Sequence, residues 1–183
     1  MLQITIPAGE LFNESTSEFI AVKEHNLQLE HSLVSLSKWE QKWHKPFLDY
    51  LINGKLTFDQ TIDYIKFMTL TKNVDPNCYL FLTEENIEAI KEYISNPMTA
   101  TTFSNEPAGG RGGEKITNEI LYYDMVALNI PFECEKWHLN RLMTLIKVCN
   151  IKSQPPKKMG KGDIMRSNAA LNAARRKQHN TKG

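Results

Sequence analysis

Ile130-Pro131-Phe132-Glu133-Cys134-Glu135-Lys136-Trp137-His138-Leu139-Asn140-Arg141-Leu142, continued by Met143 to Asn150, reads as one amphipathic helix. Trp137, Leu142, Leu145, Ile146 and Cys149 recur close to helical spacing and form one stripe. Ser153-Gln154-Pro155-Pro156-Lys157-Lys158 stops that helix, because proline lacks an amide donor and the residue before it avoids helical angles. A second helical pattern runs from about Asp163 to Lys177, with almost only positive charge. An apolar helix, a proline break and a basic helix thus organise the last third of the chain.

The basic character of the end is set against an acidic remainder. Of 22 Lys and Arg and 21 Asp and Glu, nine cations and one acid (Asp163) fall in residues 152–183. The preceding residues carry the compensating excess of acid. This asymmetry calls for an anionic partner of the tail: nucleic acid, an acidic protein surface, or the protein's own body. Arg166, Arg175, Arg176 and Lys177 lie among Ala169, Ala170, Ala173 and Ala174, which favour helix. With Lys157 and Lys158 they are the candidate partner-binding residues. Large apolar residues are few there (Ile164, Met165, Leu171), so the helix is expected to order on a partner. The plain alternative is a solvated, frayed terminus.

Working back towards the start, Leu2 to Ile6, Glu18 to Val22 and Asn26 to Glu30 alternate apolar and polar residues as half-buried strands do. Pro7 and Gly9 break the first, and Asn13 to Ser17 reads as a turn. Such a small antiparallel sheet needs a helical cover. Ser37-Lys38-Trp39-Glu40 and Thr57-Phe58-Asp59-Gln60 match capping boxes. Trp39 and Trp43 share one face of the first helix; Phe58, Ile62, Ile65 and Met68 stripe the second. Asp75-Pro76 opens a short helical turn, Thr83 caps a helix that ends at Asn96-Pro97, and Thr117 caps another. The fold class is therefore α+β and predominantly α-helical: a small N-terminal antiparallel sheet packed on a helical body, with a basic C-terminal helix. The expected divisions are a strand-plus-helix region (1–97), a flexible Gly-rich linker (98–114), a helical hairpin (115–151) and the basic tail (152–183).

At 183 residues and 41% hydrophobic, the chain supports one ordinary core. No apolar run approaches the ~20 residues of a membrane span, and Met1 to Gly9 lacks the pattern of a secretory signal. Cys78, Cys134 and Cys149 are odd in number and widely spaced, which favours a reducing compartment over a disulfide framework. No motif marks an active site, a cofactor or a metal. The loop Pro107-Ala108-Gly109-Gly110-Arg111-Gly112-Gly113 lacks the Lys-Ser/Thr ending of a phosphate-binding loop. Cys134 and His138 are four apart, but no second pair completes a zinc set, and two isolated residues do not make a nucleophile and base. Trp39, Trp43 and Trp137 have the residue type that stacks on bases, yet the helical stripe assigns Trp39 and Trp43 to a core.

Several blocks together resemble a known family. They are Leu27-Gln28-Leu29-Glu30-His31-Ser32-Leu33, Ser37-Lys38-Trp39-Glu40, Trp43-His44-Lys45-Pro46-Phe47-Leu48, Asp75-Pro76, Asn96 to Phe103, Ile130 to Leu142, Asn168 to Lys177, and Asn180-Thr181-Lys182-Gly183. With Trp137-His138-Leu139-Asn140-Arg141-Leu142 as the most specific block, they span nearly the whole chain and resemble small tail-morphogenesis proteins of tailed bacteriophages and prophages, in particular tail assembly chaperones. The resemblance implies a non-enzymatic protein of the host bacterial cytoplasm that binds the tape-measure protein, with self-association open. Two other roles stay open. One is a structural protein of the neck, tail or baseplate, present in the virion. The other is a phage factor that binds nucleic acid through the basic tail.

Overall fold

The computed structural model describes residues 1–13, 17–103, 115–153 and 160–180. The chain divides into two units, Met1–Asn150 and Ile151–Gly183. Most of the expected linker, 104–114, lies outside the described residues, as do Lys157 and Lys158. The α+β class with a helical majority is borne out.

In the first unit, strand β1 (Leu2–Ile6) pairs antiparallel with β4 (His25–Leu29), from Leu2 opposite Leu29 to Ile6 opposite His25. Ile4, Ile6, Leu27 and Leu29 point into the core, while Gln3, Thr5, Asn26 and Gln28 face solvent, the two-residue period of a one-sided sheet. Between them, β2 (Gly9–Asn13) and β3 (Glu18–Val22) form a separate ribbon. The expectation of three strands in one sheet, with Gly9 as a breaker, is corrected here. Gly9 begins a strand, and a Cβ on it would lie 2.4 Å from the Phe81 ring. The glycine is required by that close approach, not by a turn.

Helix α1 (Leu33–Trp43) starts five residues earlier than the Ser37 capping box predicts. Ser32 caps it, its Oγ accepting from the Ser35 N–H at 3.3 Å. Trp39 is fully buried, donates its indole N–H to the Gln60 carbonyl at 2.9 Å, and meets the Phe47 ring edge-on at 5.0 Å. Helix α2 is Phe47–Ile52. Helix α3 (Phe58–Met68) carries the Thr57–Gln60 capping box as expected. Its stripe Ile62, Ile65, Met68 is buried, but Phe58, at its first position, is exposed. A 3-10 turn, Pro76–Phe81, precedes α4 (Glu84–Ser95), which has the expected Thr83 cap in a full capping box with Asn86.

Helix α5 (Asn118–Ala127) follows Thr117, whose side chain makes no capping bond. The predicted single helix from Ile130 is then corrected. Phe132–Lys136 is a 3-10 turn, Trp137 is extended, and His138 bridges to Ser32. Helix α6 begins only at Leu139 and runs to Ser153. His138 ends the extended stretch because its Nδ1 accepts from the Asn140 N–H at 3.3 Å, where an N-terminal capping side chain bonds. In the second unit, α7 spans Lys161–His179.

The acid read as part of a capping box on α1 does a longer-range task. Glu40 is buried. One carboxylate oxygen accepts from the Phe47 N–H at 2.7 Å, and the other from the backbone N–H and side-chain amide of Asn118, both at 2.7 Å. These are the first residues of α2 and α5, neither of which has a side-chain cap from its own N-cap residue. A carboxylate at two helix N-termini satisfies free amides and faces the positive end of each dipole. Glu40→Ala should destabilise the protein by about 3 kcal/mol, as loss of several charge-assisted bonds to buried donors does. Trp39→Ala should cost about 3–5 kcal/mol. Denaturant unfolding measures both; a midpoint unchanged from wild type contradicts the corresponding role.

Candidate functional site

The body carries an apolar cleft that the sequence reading missed. Helices α2, α3 and α4 leave two adjoining hollows that share Leu51, Lys91 and Ile94. One, of about 640 Å³, extends to Leu48, Ile116 and Met143; the other, of about 500 Å³, to Leu56, Ile62 and Ile87. At the rim Lys115 pairs with Asp49 at 3.2 Å. Leucines, isoleucines, Met143 and the rings of Phe47 and Phe58 supply apolar wall, with Asp49, Lys91, Lys115 and Asn140 among the polar lining, so the cleft suits apolar side chains of a partner that carries charge at its edge. A third hollow, of about 620 Å³, lies over Glu40, His44 and Asn118, where the acid is already engaged in capping.

Beneath β4 lies a cluster of titratable groups that resembles an acid–base site in composition. The His31 Nδ1 bonds the Tyr64 hydroxyl, and His138 lies edge-on to His31 at 5.1 Å between ring centres. The Tyr93 hydroxyl donates to Glu30 at 2.8 Å. Since His138 Nδ1 accepts from the Asn140 amide, its Nε2 carries the proton and donates to the Tyr93 carbonyl at 3.0 Å. Asn140 donates its side-chain amide to the Ile94 and Asn96 carbonyls at 2.9 and 2.8 Å. No buried side-chain nitrogen or oxygen lacks a partner among the described residues. The cluster therefore joins β4, α4 and α6. Burial, aided by the nearby His138, lowers His31 to about 3; burial also lowers His138. Burial, then Glu30 and Glu40, pushes Tyr64 well above the usual phenol range.

Cys134 lies in the 3-10 turn and His138 in the extended residues after it, so their spacing of four is not a helical turn. Burial raises the Cys134 thiol, the opposite of an activated nucleophile. Among the described residues, no group of three His, Cys, Asp or Glu could hold a metal ion. Trp43 and Trp137 are half-buried; the former donates to Asp63 at 3.1 Å and the latter lies under Arg141, 4.1 Å from its ring centre.

Of the predicted partner-binding residues, Arg166, Arg175, Arg176 and Lys177 lie on α7. Three are consecutive near its C-terminus, where cations also favour the helix dipole. Arg166 stands nine residues earlier, about 13.5 Å along the axis. At helical spacing Ile164, Ser167, Leu171, Ala174 and Gln178 make one uncharged row. Among the described residues no helix is long and apolar enough to cross a membrane. No protein-family model, curated protein or solved structure matches the chain.

The buried imidazoles predict acid sensitivity. His31 stays neutral when folded and takes up a proton when unfolded, so its contribution to stability is full above about pH 6.5 and falls as pH drops towards its folded value of about 3. The loss should approach about 1.4 kcal/mol per pH unit for this group. Denaturant midpoints at pH 7 and pH 5 should fall more for wild type than for His31→Asn. Equal slopes would show that His31 does not titrate differently in the two states.

Proposed function

We propose that this protein acts in tail morphogenesis of a tailed bacteriophage, as a non-enzymatic assembly chaperone that binds the tape-measure protein in the host bacterial cytoplasm. The observation that carries the reading is the basic helix α7, which belongs to a unit of its own and opposes an acidic remainder. Its uncharged row is thin; Arg175 flanks it on one side and Arg166 and Lys177 on the other, while Arg176 points away on the opposite face. A surface of small apolar contacts edged with cations can hold an amphipathic helix reversibly, because little area is buried and the charged contacts weaken with salt. Reversibility is what a coat on a tape-measure helix requires, since tube polymerisation must displace it.

The block with the most specific resemblance, Trp137 to Leu142, contains the His138–Asn140 joint. It supports kinship of fold, and the functional reading leans on α7. The virion-component reading differs in where the protein ends up. Purified particles should lack the chain if it is a chaperone and contain it in fixed copy number if it is structural.

Replacing Arg175, Arg176 and Lys177 by glutamine should leave the melting curve of the body unchanged. It should reduce co-purification with the tape-measure protein and make the residual binding less sensitive to salt. A gel shift of DNA or RNA that falls steeply with salt, with no affinity for tail proteins, would replace this reading with the nucleic-acid one.

A further inference from the structure

The β2–β3 ribbon has two unlike faces. Paired residues of an antiparallel ladder share a face. Gly9 with Val22 and Leu11 with Ile20 therefore lie on one side, Glu10 with Ala21 and Phe12 with Phe19 on the other. The first side is seated on the body at its Gly9–Val22 end: Val22 is buried, Ile20 half-buried and Gly9 lies against Phe81, while Leu11 is 43% exposed. The second stands in solvent. Phe12 is 53% and Phe19 72% exposed, their rings 5.1 Å apart. Two adjoining exposed aromatic rings on a two-stranded ribbon are an unpartnered apolar knob, and such features mark contact sites. Beside them the same face bears the carboxylate of Glu10.

The α2–α3–α4 cleft is its counterpart. At its mouth Ile52 is 82% and Phe58 72% exposed. With Asp49 paired to Lys115, Lys91 is the cation of the cleft lining without an ion-pair partner among the described residues. Knob and cleft thus carry opposite signs, each next to apolar side chains.

We propose that the Phe12–Phe19 face of one copy seats in the α2–α3–α4 cleft of a second copy, with Glu10 facing Lys91. Phe-to-Phe pairing of two ribbons would offer Glu10 no cation, since the facing surface holds only Glu10, Ala21, Phe12 and Phe19, whereas the cleft supplies Lys91. The basic α7 is a poor guest for the cleft, because its cations would meet Lys91. A face that binds a different face makes a head-to-tail contact, which grows into a ring or an open chain. This self-association stands independently of what α7 binds.

The test uses the full chain and its mass in analytical ultracentrifugation as concentration rises to about 0.5 mM, well above a weak dissociation constant. Wild type should associate. Phe12→Ser/Phe19→Ser removes the knob, and Ile52→Glu/Phe58→Glu blocks the cleft; all four side chains are exposed, so both variants should melt like wild type. Each variant alone should be monomeric, and a mixture should give a one-to-one heterodimer through the intact knob of one and the intact cleft of the other. Glu10→Lys should weaken association of the otherwise wild-type chain by about tenfold, and adding Lys91→Glu should restore it. Monomeric wild type throughout overturns the proposal. So does undiminished association of the cleft variant, which would indicate ribbon-to-ribbon pairing, or failure of the double charge swap to restore association.

Discussion

One buried carboxylate ties together parts of the chain that sequence keeps far apart. Glu40 receives amide donors from α2, seven residues on, and from α5, 78 residues on. Charge removed from water is costly unless it is fully hydrogen-bonded, and here the compensation comes from helix ends that themselves lack acceptors. Each side of the contact answers a deficit in the other. Beside it on α1, Trp39 packs on Phe47 and bonds Gln60 at the start of α3. One turn of α1 consequently sets where α2, α3 and α5 begin.

A second joint does for the other edge of the body what Glu40 does for the first. His138 interrupts what would otherwise be a helix and presents its ring to the Tyr93 carbonyl. Asn140, two residues later, takes the last carbonyls of α4, and the Leu139 amide donates to the His31 carbonyl at 2.7 Å. Three adjacent residues thereby join β4, α4 and α6. Backbone partners satisfy His138 and Asn140, and side-chain bonds from His31 to Tyr64 and from Tyr93 to Glu30 complete a buried polar network that splices the elements together.

What was legible in the sequence was local. Thr57–Gln60 and Thr83 announced helix starts because a cap and its amides lie within one turn. The alternation at β1 and β4, and the charge of α7, were visible for the same reason. Ser37–Glu40 has the same letters as a cap, but Ser32 had already started the helix and Glu40 is bound to residues outside the motif. The 130–150 stretch kept helical spacing while His138 broke the backbone, since periodicity reports which side chains are apolar and not where hydrogen bonds stop. Gly9 looked like a breaker because its reason, the Phe81 ring, is 72 residues away. The cleft was invisible because its walls come from several helices, none unusual alone; the cations of α7 were plain from composition, though their partner is not encoded in them.

The two joints also bound the same stretch of chain. On one side Asn140 pins the Asn96 carbonyl; on the other Glu40 pins the amide of Asn118. Both anchors are made by side chains from outside the intervening segment, so the body is closed without reference to how many residues lie between. For a segment with fixed ends, each doubling of length costs only about 0.6 kcal/mol. Insertions or a whole grafted domain between 103 and 115 therefore leave undisturbed both anchors as well as the Lys115–Asp49 pair and the Ile116 contact with the core. Variation in chain length among related proteins should collect there, leaving both anchors in place.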